Sequence, residues 1–406
     1  MKTILLSLLF CNCIICSISS QEIVQWRGPN RNGIYPGTGL LKTWPAAGPK
    51  LLWHFEGLGE GFASATVTKD HIYTAGCVNG KGYIFCLSPE GKQEWKITYG
   101  DEWIESWNGT RSTPLYCDGK VYMVSPYGKL VCLGGEHGNL IWSADLMKTY
   151  GAENIQWGIT ENLLVDGDNL FCIVGGPKNN VIALNKDSGK LIWSSTGDGG
   201  KSAYNSPLLV KLPTRKLLVV ITEKSILGLD AETGKKLWNK EFLNQYAVHP
   251  NTPIYDNGYI YCYTGYGTGG IQFKLSADGS QVTQVWKNAS LDPKTGGAVM
   301  LNGKIYGFGD KNKGFHCIDW KTGKELAFDK FNQKGGNIIA AEGMLYTYDE
   351  SGEVALLQIT GTGIKKVSSF KVPFGADQHW AHMVINDGKL FVRHGNSLMA
   401  YDIKGK

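Results

Sequence analysis

The sequence predicts an all-β fold, an eight-bladed β-propeller of four-stranded antiparallel blades, and three observations carry that expectation. Trp53, Trp95, Trp142, Trp193, Trp238 and Trp286 close imperfect copies of one phrase at intervals of 42 to 51 residues. Between them, four short apolar or alternating runs are split by Gly- and Asp-bearing turns, the pattern of a four-strand meander. Meanders at that period are propeller blades. Finally, the last unit, from residue 381, holds only three strands, and KLLWHF at residues 50–55 stands apart near the other end. Pairing the two closes the last blade and removes the sheet edges that an open ring would leave.

Taken in order, residues 1–20, MKTILLSLLFCNCIICSISS, place Lys2 before an apolar run and Ser17, Ser19 and Ser20 after it. This is the pattern of a secretory signal peptide, so a single propeller domain is expected over residues 21–406. The run is shorter than the ~20 apolar residues that cross a bilayer, and no transmembrane span is expected in the mature chain. Cys16 lacks the small preceding residues of a lipid-attachment site, so no lipid anchor is expected either. QWRGPNRNG, residues 25–33, reads as a strap along the propeller surface. First strands of the eight blades are expected near Ala65, Thr113, Asn162, Pro207, Pro253, Ala298, Ile338 and Met383.

The phrase itself runs LSPEGKQEW to Trp95, LGGEHGNLIW to Trp142, LNKDSGKLIW to Trp193 and LDAETGKKLW to Trp238. It continues as IDWKTGKELA to Ala327 and fades near Ser368, where the tryptophan is lost. In residues 184–193, Asp187, Ser188 and Gly189 supply a tight turn with a residue able to take positive φ. The tryptophan is expected to pack between neighbouring sheets, with its indole N–H on a backbone acceptor.

Composition excludes several classes. The 406 residues are 42% hydrophobic and 19% charged, with 53 Gly and 13 Trp, which argues against disorder. Net charge is +5, but the basic residues are scattered among acids, with no run that would track phosphates, so nucleic acid is not expected. Three of the 10 Cys fall within residues 1–20, and the odd remainder of seven argues against a disulfide framework. Cys86, Cys132 and Cys317 share the repeat position that holds Ala183, Gly228 and Ala400 elsewhere, as small packed residues would. Beyond residues 1–20 no CxxC or Cys/His cluster is legible, and no metal site is expected.

The repeated phrase, with ALN at residues 183–185, GLD at residues 228–230, TGK at residues 233–235 and 322–324 and its closing Trp, resembles the tryptophan-docking repeat of pyrroloquinoline quinone (PQQ) dehydrogenase propellers and their non-enzymatic relatives. Among those relatives is the propeller component of the bacterial outer-membrane β-barrel assembly machinery. QWRGPNRNG followed by GLLKTWP resembles the opening of secreted bacterial PQQ-like propellers. For the dehydrogenases the resemblance implies vicinal cysteines, a stacking Trp, a Ca²⁺ site and an Asp base. This chain has no adjacent Cys pair and no CxxCH haem motif, so no cofactor is expected to be required, and PQQ with calcium is disfavoured. GYGTGG, residues 265–270, matches a dinucleotide fingerprint, but a strand rather than a helix follows it. HExxH, GxSxG and EF-hand spacings are absent.

Alternate connections of a meander lie on the same face, so one face of the ring collects tight turns and the other the long segments that lead into the innermost strands. Aligning those segments gives a ring position of Ala63, Arg111, Ile159, Tyr204, Pro250, Thr295, Gly335 and Trp380. His249, Lys294, Lys334 and His379 stand beside it, with Glu161 and His382 further in. Trp107, Arg111, Trp157, Glu161, Tyr204, His249, His379, Trp380 and His382 are therefore the candidate ligand-binding residues, a convergence of polar and aromatic groups around a concavity. The expected function is that of a secreted, periplasmic binding or scaffold protein that holds a protein partner or a carbohydrate-like or anionic ligand at this face. A quinoprotein sugar or alcohol dehydrogenase and a carbohydrate-active enzyme are the alternatives.

Overall fold

The computed structural model describes residues 21–331, 334–361 and 363–405; the signal-peptide reading of residues 1–20 lies outside them. Eight sheets follow one another around a ring, each a meander from an innermost to an outermost strand. Blade 1, for example, runs Thr66–Val67, Ile72–Val78, Lys81–Leu87 and Gln93–Asp101. Blade 8 takes Val384–Asn386, Lys389–His394 and Ser397–Asp402 from the C-terminal region, and Lys50–Glu56 pairs antiparallel outside them, Lys50 opposite Asp402 and Glu56 opposite Ser397. The ring is closed as the incomplete last unit predicts. Among the described residues the one helix, Leu146–Tyr150, is a single turn capped by Asp145, and none there is long and apolar enough to cross a membrane.

The repeated phrase builds the joints between blades. Each repeat indole donates to a backbone carbonyl of the following blade: Trp95 to Gly135 at 2.9 Å, Trp142 to Lys186 at 2.9 Å, Trp193 to Ala231 at 3.0 Å and Trp238 to Gly279 at 3.0 Å. At Lys186 and Ala231 the receiving turn is an Asx turn, headed by Asn185 and Asp230. Asp230 Oδ1, for instance, accepts from the backbone N–H of Glu232 and Thr233, and Gly234 then takes φ +72°. A side chain on Gly234 would meet the Trp193 ring, so the glycine serves both the left-handed turn and the indole lying on it. All seven described cysteines are buried and free; Cys86, Cys132 and Cys317 sit directly opposite Tyr73, Tyr122 and Tyr306 on the neighbouring strand.

Two departures lie in residues 22–48. Blade 7 has Ser368 where its tryptophan would be, and Trp44 supplies the ring instead: its backbone N–H donates to Ser368 Oγ at 3.0 Å and its indole lies 6.0 Å from Tyr346. The equivalent distance in blade 1, Trp95 to Tyr73, is 5.9 Å. Residues 25–33 correct the surface-strap expectation, because they cross the central channel. Ile23–Val24 adds to the innermost strand of blade 2, and Ile34–Tyr35 runs parallel to that of blade 7. Between them Arg31 donates to the carbonyls of Asn162 and Leu163, and Arg27 to those of Ala298 and Ile338. Both arginines are buried. A buried guanidinium needs several acceptors at once, and the converging ends of innermost strands provide them.

Candidate functional site

The channel loop forms the floor of a funnel that opens on the long-segment face and encloses a cavity of about 180 Å³. Its walls are aromatic. Trp26 comes from the channel loop, Phe62 from the segment before blade 1, Trp107 and Trp157 from the segments before blades 2 and 3, Tyr204 and Trp380 from those before blades 4 and 8. Trp380 bridges Phe62 and Trp107, with ring centroids 4.9 and 5.2 Å away, and Tyr204 lies 6.1 Å from Trp157. Tyr266 completes the set from within GYGTGG, the stretch dismissed as a nucleotide motif.

Backbone strain concentrates here. Trp107, Tyr204 and Tyr266 have φ of +59°, +65° and +61°, and they are the aromatic residues at positive φ among those described. A bulky residue is an outlier in the left-handed region, and such strain persists where the surroundings impose it. Trp107 remains 48% exposed at the mouth.

The polar groups divide into free and committed ones. Lys294 lies at the wall beside the Tyr266 ring, 5.5 Å from its centroid. Arg111 donates from Nη2 to the Trp157 carbonyl and lies 5.9 Å from the centre of the Trp103 ring, while its buried Nε has no protein partner. His382 is fully engaged: burial, then the neighbouring Arg27 charge, pushes its pKa down to about 3. In that neutral form Nδ1 accepts from Arg27 at 3.0 Å and Nε2–H donates to the Thr295 carbonyl at 2.9 Å. Asn162 is spent as well, its Oδ1 accepting from the Thr113 N–H and its Nδ2 donating to Ser206. Among the described residues, no carboxylate and no cysteine lines the funnel. Glu350, which accepts from the Trp380 indole at 3.2 Å, belongs to a separate notch behind Lys294 and Thr295.

Six of the nine sequence-derived candidates therefore share the funnel: Trp107, Arg111, Trp157, Tyr204, Trp380 and His382. Glu161, His249 and His379 do not reach it. Glu161 is buried between blades, accepting from the Ile173 N–H at 3.0 Å, and burial raises its pKa to about 8. His249 is wholly buried beside Phe242, and burial lowers it to about 4. His379 contacts the Tyr348 hydroxyl and stacks on His394 at 3.8 Å; burial and then His394 lower it to about 4. Extended chain alternates its side chains, and an alignment slip of one residue inverts the choice. Thr160 and Asn162 flank Glu161 and both face the funnel; Val248 and Pro250 do the same around His249. At the aligned ring position, likewise, Phe62 replaces Ala63 and Thr160 replaces Ile159. Trp26, Phe62 and Tyr266 are the aromatic funnel residues that sequence reasoning missed.

A family model described as outer membrane protein assembly factor BamB matches residues 80–326, more than half of the chain. The chain belongs to this family. Within the BamB family, outer membrane protein assembly factor BamB of Burkholderia pseudomallei is 24% identical over 275 residues, 65% of each chain. A quinoprotein ethanol dehydrogenase of Pseudomonas putida is 26% identical over 178 residues, 41% of this chain and 27% of that protein. The chain thus spans less than two thirds of the length of these relatives. Among solved structures, BamB from Moraxella catarrhalis superposes with a TM-score of 0.61 at 13% identity, covering 87% of this chain and 99% of that one. A quinohemoprotein alcohol dehydrogenase from Pseudomonas putida HK5 gives 0.64 at 12% identity over 92% and 79%. At such identities the match speaks for the fold alone.

The quinoprotein likeness raises PQQ and its Ca²⁺, and the funnel's donor set does not fit the metal ion. Calcium takes six to eight oxygen ligands with carboxylates prominent. Here the charged wall residues are Arg111 and Lys294, both cationic, and the Asn162 amide is already hydrogen-bonded at both ends.

Proposed function

We propose that this chain is an exported binding propeller whose funnel seats a sugar-like ligand bearing an acid group. The observation that carries the reading is the wall itself: among the described residues, four tryptophans, two tyrosines and a phenylalanine around two cations, with no carboxylate. Aromatic faces take the apolar faces of a sugar ring. Arg111, a cation at the wall, supplies a charge-assisted donor for a carboxylate or sulfate. A general base is what the wall lacks, since His382 holds its neutral form with both ring nitrogens engaged. Export rests on the leader pattern of residues 1–20, and a periplasmic location accords with the assembly-factor name of the family.

The test is tryptophan fluorescence on titration with digalacturonate against neutral cellobiose. Saturable quenching by the acidic sugar, lost in Arg111→Ala and Trp380→Ala and kept in the tight-turn control Lys190→Ala, is the expected result. Equal response to both sugars, or unaltered quenching in Arg111→Ala, overturns the acid-group reading. Dye-linked oxidation of sugars or alcohols with added PQQ and Ca²⁺ would overturn the binding-only reading.

A protein partner is the second reading, favoured by the apolar rim. Ile104, Leu243 and Tyr246, on the long segments, are 63%, 54% and 47% exposed. The assembly-factor relative accords with it. Ile104→Glu with Leu243→Glu should then abolish co-purification of a partner while leaving sugar quenching intact.

A further inference from the structure

Blade 1 departs from its sisters on the face opposite the funnel. Immediately before the repeat tryptophan, blades 2 to 6 carry Ile141, Ile192, Leu237, Val285 and, before Ala327, Leu326; blade 1 carries Glu94. A register shift beside Cys86 brings this residue against the thiol. Glu94 Oε2 lies 3.2 Å from Cys86 Sγ and 2.7 Å from His71 Nδ1. On the far side of the imidazole, Nε2 lies 3.1 Å from Glu136 Oε2, which the turn of blade 2 contributes. Among the described residues this is the single group of three His, Cys and acidic donors whose ligand atoms all fall within 4.8 Å of one another.

We propose that Cys86, His71 and Glu94 form a binding site for a transition-metal ion of the zinc class, with Glu136 orienting the imidazole. A tetrahedral ion with bonds of about 2.0 to 2.3 Å holds its donors roughly 3.3 to 3.8 Å apart, so small outward shifts of Glu94 would admit one. Thiolate, imidazole and carboxylate together suit zinc or cobalt rather than calcium or magnesium. On binding, the Cys86 thiol releases its proton to solvent and His71 ligates through neutral Nδ1, keeping Nε2–H on Glu136. That carboxylate–histidine–metal relay fixes the tautomer. Glu94 is 36% exposed, which leaves the fourth position open to water. The cysteine alone carries none of this, because Cys132 and Cys317 occupy the same repeat position as packing residues. What blade 1 adds is a histidine and a carboxylate delivered to the thiol.

The experiment uses the full chain, stripped with a chelator and titrated with Co²⁺ and then Zn²⁺. The expected result is one equivalent of Co²⁺ with a thiolate charge-transfer band, displaced by Zn²⁺ and absent in Cys86→Ala. Alanine stands at this position in blades 3 and 8, as Ala183 and Ala400, so the variant keeps a residue the fold accepts. Glu94→Ile, which installs the residue of blades 2 and 3, should lower zinc affinity at least tenfold. Glu136→Gln should lower it by about 10- to 100-fold, the usual effect of losing an orienting partner, and Cys132→Ala should leave it unchanged. Cobalt binding without a thiolate band, a band that survives Cys86→Ala, or unchanged zinc affinity in Glu94→Ile overturns the site.

Discussion

Replacing Gly234 with alanine strikes the joint between blades 3 and 4. A Cβ built there lies 2.4 Å from Cε3 and 2.8 Å from Cδ2 of Trp193, whose indole is hydrogen-bonded to Ala231 and buried. Two costs add. Holding alanine at φ +72° costs about 1 kcal/mol, and forcing a methyl into a packed contact costs roughly 1 to 3 kcal/mol more. Gly343 separates them, because it has φ +77° with nothing within 4 Å of its Cβ. Gly343→Ala should therefore lose about 1 kcal/mol and Gly234→Ala about 2 to 4 kcal/mol. Urea unfolding of both, read as midpoint shifts at a common slope, makes the comparison. A cycle with Trp193→Ala isolates the steric part: with the ring gone, Gly234→Ala should cost only what Gly343→Ala costs, a coupling of about 1 to 3 kcal/mol. Equal losses in the two alanine variants, or strict additivity in the cycle, would refute the account of the repeat as a docking joint.

Glu161, whose pKa burial raises to about 8, keeps its proton at neutral pH, so its charge costs nothing below pH 4.5 and progressively more up to pH 8. Glu161→Gln should be the more stable form at neutral pH by up to roughly 3 kcal/mol; a gap in melting temperature that does not widen between pH 4.5 and 8 contradicts this. His249, His379 and His382 have pKa values depressed to about 4, 4 and 3, so the stability of their neutral forms is complete above pH 6.5 and lost as pH falls toward those values. His249→Gln should accordingly lose less stability than the parent between pH 6.5 and 4, and parallel melting curves would rule that out. Deleting residues 384–406 removes the partners of Lys50–Glu56 and opens the ring; circular dichroism should register loss of the whole fold, whereas a stable seven-blade remnant would show the blades to be independent.

What the sequence by itself determined is whatever repeats. Blade number, the four-strand meander, the tryptophan joint and the closure by residues 50–55 were all legible, because each is a local periodicity or a local gap in one. The face that carries the funnel was legible too, from the alternation of short turns and long segments. The tertiary structure alone decided what does not repeat. Trp44 filling the place vacated at Ser368 is a contact across more than three hundred residues, and no period announces it. The channel crossing of residues 25–33 depended on carbonyls of blades 3, 6 and 7 converging on Arg27 and Arg31, and only that crossing delivers Trp26 to the funnel floor. Within the leading segments, alternation of extended chain made each candidate a choice between neighbouring residues. Arg111 and Trp380 fell on the funnel side, while Glu161 and His249 fell on the blade side, because the anchoring of each segment against the next blade, not its composition, sets which way a side chain points.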